Sequence, residues 1–366
     1  MDLKRILIFR IGHLGDTLAA LPAFWVVRGA FPKAHISLLT NSDPKNPHYV
    51  SPSSILPQNE LVDSVLSYPA GSTRAKSIFN FLGLARKIRK GRYDAVIYLM
   101  TRNRMPNQIE RDVRFFRFCG IRRVIGAQFL KENYLSFPIP IPTPTVIPES
   151  AFLLEMLRQA GFDTSGDDKS RGISLTDFEI SAANNWFHAL YEETPGRRLV
   201  AIAPGSKWRS KVWRTERYIK VINRLIGSHN IFPIIFGGPE DRSVGETILQ
   251  AVGIGANAAG KLGVREAAAA LARCELYLGN DTGTMHMAAA VGTPCVAVFA
   301  AIDWIGRWYP TGQHNVVFRK RVECEGCHTP DCFNNHKCLE LTSTAEVYAA
   351  CANVLDELSI ESHHGP

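Results

Sequence analysis

The sequence predicts an α/β protein built from two doubly wound parallel sheets. Short apolar runs that end at glycine or polar residues alternate with amphipathic stretches, which is the pattern of β-loop-α units. This alternation pauses near residue 170 and then starts again. The length of 366 residues also exceeds the usual size of one hydrophobic core. We therefore expect two consecutive domains with a ligand-binding cleft between them.

The first domain is predicted at residues 1–170. Its first strand ends at Gly12, and a helical pattern over residues 17–31 follows and stops before Pro32. A basic amphipathic pattern indicates a further helix near residues 78–90. Apolar runs predict strands at residues 4–12, 35–40, 62–68 and 93–100.

Two segments near the end of this domain are predicted to be connectors. Prolines in residues 137–148, FPIPIPTPTVIP, exclude a helix or a central strand, so we expect a surface connector. A helix is predicted over residues 149–160. The polar, glycine-containing residues 161–172, GFDTSGDDKSRG, then indicate an interdomain linker.

The second domain is predicted at residues 171–342 and repeats the alternation. A strand at 198–205 is followed by a helix over 215–226 and a strand at 231–238. The helix VREAAAALARC and the strands ELYLG and TPCVAVFA continue the pattern.

Charge and targeting signals limit the class of protein. The N-terminus lacks the pattern of a signal peptide, and no apolar run approaches the roughly 18 residues that span a bilayer. We expect a cytoplasmic protein, and a membrane-surface location is compatible with this expectation. A net charge of +8 favours anionic partners such as phosphates, lipid headgroups or nucleic acid.

The loop RIGHLGDT follows the first predicted strand and contains the first candidate site. Gly12 and Gly15 permit backbone conformations closed to other residues, and Asp16 stands before the helix. Asp16 is either a helix cap or a carboxylate that faces the cleft. The glycine spacing does not match the G-x-G-x-x-G dinucleotide motif.

The segment APGSKWRSKVWRTERY contains a basic loop that opens a helix. Cations at the carboxyl end of a parallel strand are suited to hold a diphosphate, and Lys207 and Lys211 beside Ser206 are the candidates. The later arginines of the helix are expected to be a solvated face. The next glycine turn, FGGPEDR, offers Glu240 and Asp241, each either a ribose ligand or a helix cap.

The segment GNDTGTMHMAAAVGTP predicts a phosphate-binding helix terminus. A helix that begins near Thr284 or Met285 would direct unpaired N–H groups and its positive dipole end toward an anion. Asp281 and Thr282 would flank the ligand, and Gly283 would allow close approach of the backbone. His286 either contacts the ligand or is a core histidine.

The segment CEGCHTPDCFNNHKC spaces its four thiols as C-x2-C-x4-C-x5-C, namely Cys324, Cys327, Cys332 and Cys338. In a reducing cytosol this spacing indicates either a structural thiol cluster, which we favour, or a zinc or iron site.

These segments together resemble the ADP-heptose:lipopolysaccharide heptosyltransferases of glycosyltransferase family nine. The resemblance covers nearly the whole chain and rests on residues 6–39, on APGSKWRSKVW and on residues 259–303. It implies a GT-B fold, in which two Rossmann-like domains face a central cleft, with the donor on the second domain and the acceptor on the first. A C-terminal helix, predicted at residues 344–357 within a region 343–366, would cross back toward the first domain.

The resemblance also implies roles for the candidate residues. Asp16 matches the proposed general base, Lys211 matches the lysine near the donor phosphates, and the turn at Asp281, Thr282 and Gly283 matches the donor-binding turn. The expected reaction is inverting transfer of heptose from ADP-heptose to a lipopolysaccharide core acceptor, with no required cofactor or metal. The expected location is the cytoplasm, and peripheral association with the inner face of the inner membrane is compatible with this reaction.

A basic and aromatic region of the first domain has more than one interpretation. It suits a phosphorylated glycolipid, or it is only the solvated side of an amphipathic helix. No recognised RNA-binding motif accompanies it, so no nucleic-acid partner is expected, although a basic nucleic-acid-binding protein is one alternative. The other functional alternatives are a sugar-nucleotide epimerase, a transferase for another nucleotide-sugar and a non-catalytic nucleotide-binding protein. The region contains Arg102, Arg104, Arg111, Arg114, Phe115, Phe116, Arg117, Phe118, Arg122 and Arg123.

Overall fold

The computed structural model of the chain describes residues 3–43, 49–56, 60–69, 74–166, 172–190 and 196–363. The chain divides into two compact units. The first contains Met1–Phe137 and Glu149–Ser174, and the second contains Pro138–Pro148 and Leu175–Pro366. Each unit is organised around a parallel sheet.

The first unit has a sheet whose strands are β1 (Arg5–Phe9), β2 (His35–Ser42), β3 (Ser64–Pro69), β4 (Ala95–Tyr98) and β5 (Val124–Ile125). They pair in parallel in the order β3-β2-β1-β4-β5. The helices of this unit are α1 (Leu14–Ala19), α2 (Leu21–Ala30), α3 (Arg74–Gly91), α4 (Pro106–Phe118), α5 (Ala127–Glu132) and α6 (Glu149–Gln159).

The helix predicted over residues 17–31 is two helices in the structure, α1 and α2. Ala20 ends the first and begins the second, and Pro22 lies in the first turn of α2. Proline has no backbone N–H and clashes with the preceding turn of a helix interior, but it fits the first turn of a new helix. The hydrophobic periodicity continues across this break, which is why the sequence pattern did not reveal it.

The second unit has a sheet whose strands are β6 (Arg198–Ala203), β7 (Ile231–Ile235), β8 (Ala256–Asn257), β9 (Leu276–Asn280), β10 (Cys295–Phe299) and β11 (Val316–Arg319). The order is β11-β10-β9-β6-β7-β8, which corresponds to the 3-2-1-4-5-6 order of dinucleotide-binding Rossmann sheets. The helices are α7 (Asp177–His188), α8 (Thr215–His229), α9 (Arg242–Val252), α10 (Val264–Leu271), α11 (Gly283–Ala290), α12 (Lys337–Glu340) and α13 (Thr344–His363).

These two sheets confirm the predicted fold class of two doubly wound parallel sheets. In the second unit, helices α8 and α13 pack together against a core that the strands of the sheet share. The strands β7, β9 and β10 are buried along their whole length, as expected of parallel strands that are covered on both faces. The strand order reverses between β6 and β9, and loops from these neighbouring strands therefore meet at one edge.

The proline-rich residues 138–148 do not belong to the first domain, as the predicted boundary of 1–170 implied, but to the second unit. The backbone N–H of Thr143 donates to a carboxylate oxygen of Glu325 over 2.8 Å, and both residues are buried. The side chain of Ile139 is also buried, and it lies against Gly326. Most of the other residues of this segment are exposed, as expected of a surface connector, and Ile139 and Thr143 attach it to the second unit. The main division falls between Ser174 and Leu175.

The C-terminal helix α13 begins at Thr344, as expected, and continues to His363. It packs on α8 and on strands β9 and β10 of the second unit. Its expected approach to the first unit stays a prediction. Among the helices of the described residues, none combines the length and the apolarity that a membrane span requires.

Asn280 connects the loops at the point where the strand order reverses. It is the last residue of β9 and is fully buried. Its Nδ2 donates to the carbonyl oxygen of Pro204 after β6, over 2.7 Å. Its Oδ1 accepts from the backbone N–H of Trp213 (3.1 Å) and from the hydroxyl of Tyr218 (2.9 Å). One side chain thus holds the end of β6, the start of α8 and the end of β9 together.

Replacement of Asn280 by alanine is expected to lower the free energy of unfolding by about 3 kcal/mol, because it leaves several buried polar groups without partners. The change Tyr218→Phe removes one of the same hydrogen bonds and should cost only about 1 kcal/mol. Chemical denaturation followed by tryptophan fluorescence measures both. Equal losses of unfolding free energy in the two variants would contradict the inference that Asn280 connects several segments.

Candidate functional site

The loop after β1 positions Asp16 in the first unit. Asp16 is the third residue of α1, and its Oδ2 accepts the backbone N–H of His13 over 2.7 Å. The helix cap and the candidate base are therefore the same side chain. Gly12 has φ of +140°, and a Cβ atom at that position would lie 2.7 Å from Oδ2 of Asp16. Gly12 is thus required both by its backbone conformation and by the close approach of the carboxylate.

Two residues that the sequence analysis missed support this loop. Arg10 is fully buried and donates to the carbonyl oxygen of Leu99 over 2.8 Å and to the backbone carbonyl of Asp16. The hydroxyl of Tyr49 donates to the carbonyl oxygen of Gly12 over 2.9 Å. Burial, reinforced by the negative charge of Asp16, raises the pKa of Tyr49 to about 12, so this hydroxyl stays protonated at neutral pH.

In the second unit, the structure brings together two of the predicted site residues. Lys211 ends a short 3-10 helix, Arg209–Lys211, and its Nζ lies 2.6 Å from Oδ2 of Asp281. The Asp281 side chain is 9% exposed and that of Lys211 is 20% exposed. An ion pair with so little solvent around it restrains the lysine strongly. Ser206 is half-buried in the same loop, whereas Lys207 is exposed.

The cysteine-containing segment packs on this basic loop, which the sequence did not predict. The backbone N–H of Ser210 donates to the carbonyl oxygen of Pro330 over 3.0 Å. The ring of His328 meets the Trp208 ring edge-on at 5.1 Å, and Nζ of Lys211 lies 5.8 Å from the centre of that indole. Burial lowers the pKa of His328. The negative charge of Asp303 opposes this shift, and the positive charges of Arg307 and Lys211 reinforce it, so this imidazole is biased toward its neutral form.

The turn after β9 leads into α11 at Gly283, one residue before Thr284, the earlier of the two predicted starts. Thr282 occupies the N-cap position with an extended backbone, and its side chain does not cap the helix. The Thr282 hydroxyl lies 3.5 Å from that of Tyr277 instead. The N-terminal N–H groups of α11 therefore lie beside the Lys211–Asp281 pair, since Asp281 precedes the cap directly.

His286 is buried on α11, and residues after β10 extend the polar cluster around it. The His286 ring lies 6.1 Å from that of Trp308, whose Nε1 donates to Asp303 over 3.0 Å. Burial opposes ionisation of Asp303, but the Arg307 guanidinium, the hydrogen bonds from Trp304 and Trp308 and the charge of His328 together lower its pKa. Arg307 also lies over the Trp308 ring at 4.6 Å. The position of these residues after the carboxyl end of a strand was the signal in the sequence that could have identified them.

The structure separates the roles of Glu240 and Asp241. Asp241 is partly buried, and its Oδ2 accepts the backbone N–H of Gly238 over 3.0 Å. A Cβ atom at Gly205 would overlap the Asp241 carboxylate, so this side chain fills the space between the loops after β6 and β7. Glu240 is exposed to solvent. The capping alternative therefore applies to Asp241, and Glu240 is the more accessible carboxylate.

The cysteines of the predicted thiol cluster are free, and Cys338 is buried. Asn334 donates to two of the sulfurs, through its backbone N–H to Cys332 (3.4 Å) and through its side chain to Cys324 (3.3 Å). Within the described ranges, no group of three or more His, Cys, Asp or Glu side chains is arranged to hold a metal ion. Metal independence stays a prediction.

Comparison with known proteins connects these features to a family. The model of glycosyltransferase family 9 (heptosyltransferase) matches residues 81–337. Lipooligosaccharide heptosyltransferase 2 of Haemophilus influenzae is 34% identical over 109 residues, which are 28% of this chain and 31% of that protein. The chain thus spans about a third of the length of this curated relative in the alignment. Lipopolysaccharide heptosyltransferase 3 of Escherichia coli strain K12 is 22% identical over 94% of this chain and 96% of that protein.

A solved structure shows the same fold. The crystal structure of the glycosyl transferase family 9 protein from Veillonella parvula has 24% sequence identity and a TM-score of 0.72, over 97% of this chain and 98% of that one. This similarity and the two Rossmann-like sheets confirm the GT-B fold class that the sequence resemblance implied.

Asp241 should give the stability of the protein a specific pH dependence. Burial raises its pKa to about 6 from an ordinary value of 3.8, so the folded state binds this proton more tightly than the unfolded state does. The resulting stabilisation is present at low pH and is lost as pH rises through about 6. Asp241→Asn, which does not titrate, is therefore expected to be more stable than the parent at pH 7.5.

Chemical denaturation of the parent and of Asp241→Asn between pH 4 and pH 8 measures the difference between their free energies of unfolding. The contributions of the other titrating groups are the same in both proteins and cancel in this difference. The advantage of Asp241→Asn should shrink as pH falls from about 7 toward about 4. An advantage that is constant across this range would show that the carboxyl titrates normally in the folded protein.

Proposed function

We propose a specific reaction for this chain, which belongs to glycosyltransferase family 9 (heptosyltransferase). In this proposal it transfers heptose from ADP-heptose to a lipopolysaccharide core acceptor with inversion at the anomeric carbon. The observation that carries the proposal is the Lys211–Asp281 ion pair, whose side chains lie 2.6 Å apart at the N-terminus of α11. A partly buried cation beside free helix N–H groups is suited to a diphosphate leaving group.

Charge development in the reaction determines what this site must do. As the bond from C1 of the sugar to the ADP oxygen breaks, negative charge grows on the diphosphate. Lys211 has three N–H donors, and Asp281 occupies one of them, which orients the ammonium group while others remain to meet the phosphate oxygens. The positive end of the α11 dipole adds to this stabilisation. These groups take the part that a metal ion plays in other transferases, and no cofactor is required in this mechanism.

The other residues proposed to contact the donor are chosen by their solvent exposure and by their position near Lys211 and α11. Thr282, Gly283 and Thr284 supply the helix terminus, with His286 in the next turn. Ser206 and Lys207 extend the basic loop. The exposed Glu240 is the better candidate for the ribose hydroxyls, because Asp241 is committed to the Gly238 backbone.

Asp16 is the proposed general base. The His13 N–H orients its carboxylate, and Gly12 keeps the adjacent space clear of side chains. In the reaction, Asp16 takes the proton of the acceptor hydroxyl as that oxygen attacks C1, and the ADP oxygen leaves from the opposite side. General-base catalysis of this kind contributes about 10²- to 10⁴-fold to the rate. The first unit binds the acceptor, a phosphorylated glycolipid, at the cytoplasmic face of the inner membrane in this proposal. Gly15, the second residue of α1, is proposed as a donor contact.

A panel of nucleotide-sugars with and without a core oligosaccharide acceptor tests the function directly. We expect thermal stabilisation by ADP-heptose above that by UDP- and GDP-sugars, and release of ADP only when the acceptor is present, apart from slow hydrolysis. A change in the sugar without any acceptor would indicate an epimerase. Failure of every nucleotide-sugar to bind would overturn the proposal.

Variants separate the two catalytic roles. Asp16→Asn is expected to lower kcat by about 10²- to 10⁴-fold with little effect on ADP binding, because it removes only the base. Lys211→Met should lower kcat/KM by about 10²- to 10³-fold and weaken ADP binding as well. The matched controls Asp163→Asn and Lys220→Met change exposed residues of the same type in the same units and should behave like the parent. Full activity of Asp16→Asn would remove this residue from the role.

A further inference from the structure

Helices α3 and α4 of the first unit expose a cluster of aromatic side chains. Phe81 and Phe118 are 44% and 49% exposed, and their rings stack with centres 6.1 Å apart. Phe81 also lies 4.9 Å from the ring of Phe115. Leu82, next to Phe81, is 53% exposed. Large apolar side chains that cluster at a protein surface mark an interaction site more often than isolated ones do.

Cations surround this cluster. Residues 81–91 of α3 contain no acidic residue, and the chain from Arg114 to Arg123 has none either. Of the acidic residues on α4, Asp112 is buried and paired with Arg104, and Glu110 is paired with both Lys131 and Arg114. The exposed basic residues of the two segments are Arg86, Lys87, Arg89, Lys90, Arg114, Arg117, Arg122 and Arg123.

Helical spacing places part of this charge beside the apolar residues. Arg86 and Arg89 lie one and two turns after Leu82 on the same side of α3. The Arg89 guanidinium lies 4.5 Å over the Phe118 ring and donates to the Phe118 carbonyl oxygen over 2.6 Å. Arg86 and Arg89 thus lie beside the exposed apolar side chains, and the other cations are exposed on the same two segments. We name this region the aromatic-basic surface: Phe81, Leu82, Phe115 and Phe118 with the eight cations.

We propose that the aromatic-basic surface docks on an anionic lipid bilayer. Phenylalanine and leucine side chains insert at the boundary of headgroups and acyl chains, and lysine and arginine are attracted to the negative leaflet. This inference deepens the proposed function, since it rests on a glycolipid acceptor, and it names the surface that brings the enzyme to that acceptor.

The ring geometry favours a bilayer over a nucleic acid. Single-stranded nucleic acids bind to aromatic residues by stacking bases on open ring faces. Arg89 covers one face of the Phe118 ring, and Phe81 stacks with the same ring. Insertion of apolar side chains among lipids requires no open ring face, so this arrangement favours a bilayer.

Co-sedimentation of the full-length protein with vesicles tests this proposal. We expect binding to vesicles of phosphatidylcholine and phosphatidylglycerol (7:3), weaker binding at high salt, and little binding to phosphatidylcholine alone. The double variants Arg86→Gln/Lys90→Gln and Phe81→Ser/Phe118→Ser are each expected to bind about 10-fold more weakly.

Matched controls remove the same number of exposed positive charges or exposed rings from the second unit. These are Lys220→Gln/Lys261→Gln for the charges and Phe178→Ser/Phe333→Ser for the exposed rings, and both should bind like the parent. Thermal unfolding establishes that each variant is folded. Equal binding by all variants, equal binding to neutral vesicles, or preference for a single-stranded RNA over the anionic vesicles would overturn the proposal.

Transfer to a soluble, delipidated acceptor separates this proposal from the proposed function. If vesicle binding is lost in the two surface variants while transfer to the soluble acceptor is retained, both proposals stand. If the parent binds vesicles as expected but transfers no sugar to any acceptor, the docking surface stands and the proposed function fails.

Discussion

The buried side chain of Asn280 is the constraint on which the second unit's site depends. Parallel strands end at the same edge of a sheet, but their loops have no fixed relation to one another unless side chains connect them. Asn280 bonds to the chain after β6, to the entry of α8 and to the Tyr218 hydroxyl. Because these partners flank the basic loop, Lys211 reaches Asp281 and the start of α11.

Two buried or partly buried cations near the candidate site of the second unit are each paired with a carboxylate. Lys211 is paired with Asp281, and Arg307 holds Asp303 in its ionised form. Such pairing lowers the cost of keeping charges in a partly buried place, and it fixes their geometry. In the proposed reaction, the diphosphate would meet an oriented ammonium group, so little reorganisation would be needed as the leaving group develops charge.

Two irregular segments brace this arrangement, although their sequences suggested other roles. The proline-rich chain is bound through the Thr143 backbone to Glu325, whose carboxylate also pairs with Arg319 and Arg321. The cysteine-containing segment bonds to Ser210 and brings His328 beside Trp208. The cysteine-containing segment thus packs directly on the basic loop, and the proline-rich chain packs on residues 325–326 near the start of that segment.

The sequence by itself determined the two parallel sheets, most of their strands and helices, and the glycine turns that carry Asp16, Lys211 and Asp281. These features depend on local hydrophobic periodicity and on where glycine and proline stand, so they can be read from neighbouring residues. Only the tertiary structure decided which side chains meet. Lys211 and Asp281 are 70 residues apart, and their contact depends on the strand order, which no local pattern encodes.

The same reason explains what the sequence analysis missed. Asn280, His328 and Trp308 acquire their places from strands and loops that are distant along the chain. Glu240 and Asp241 are neighbours with the same local pattern, and only packing against Gly205 distinguishes them. Burial and contact between distant segments are properties of the folded chain, so they became visible only there.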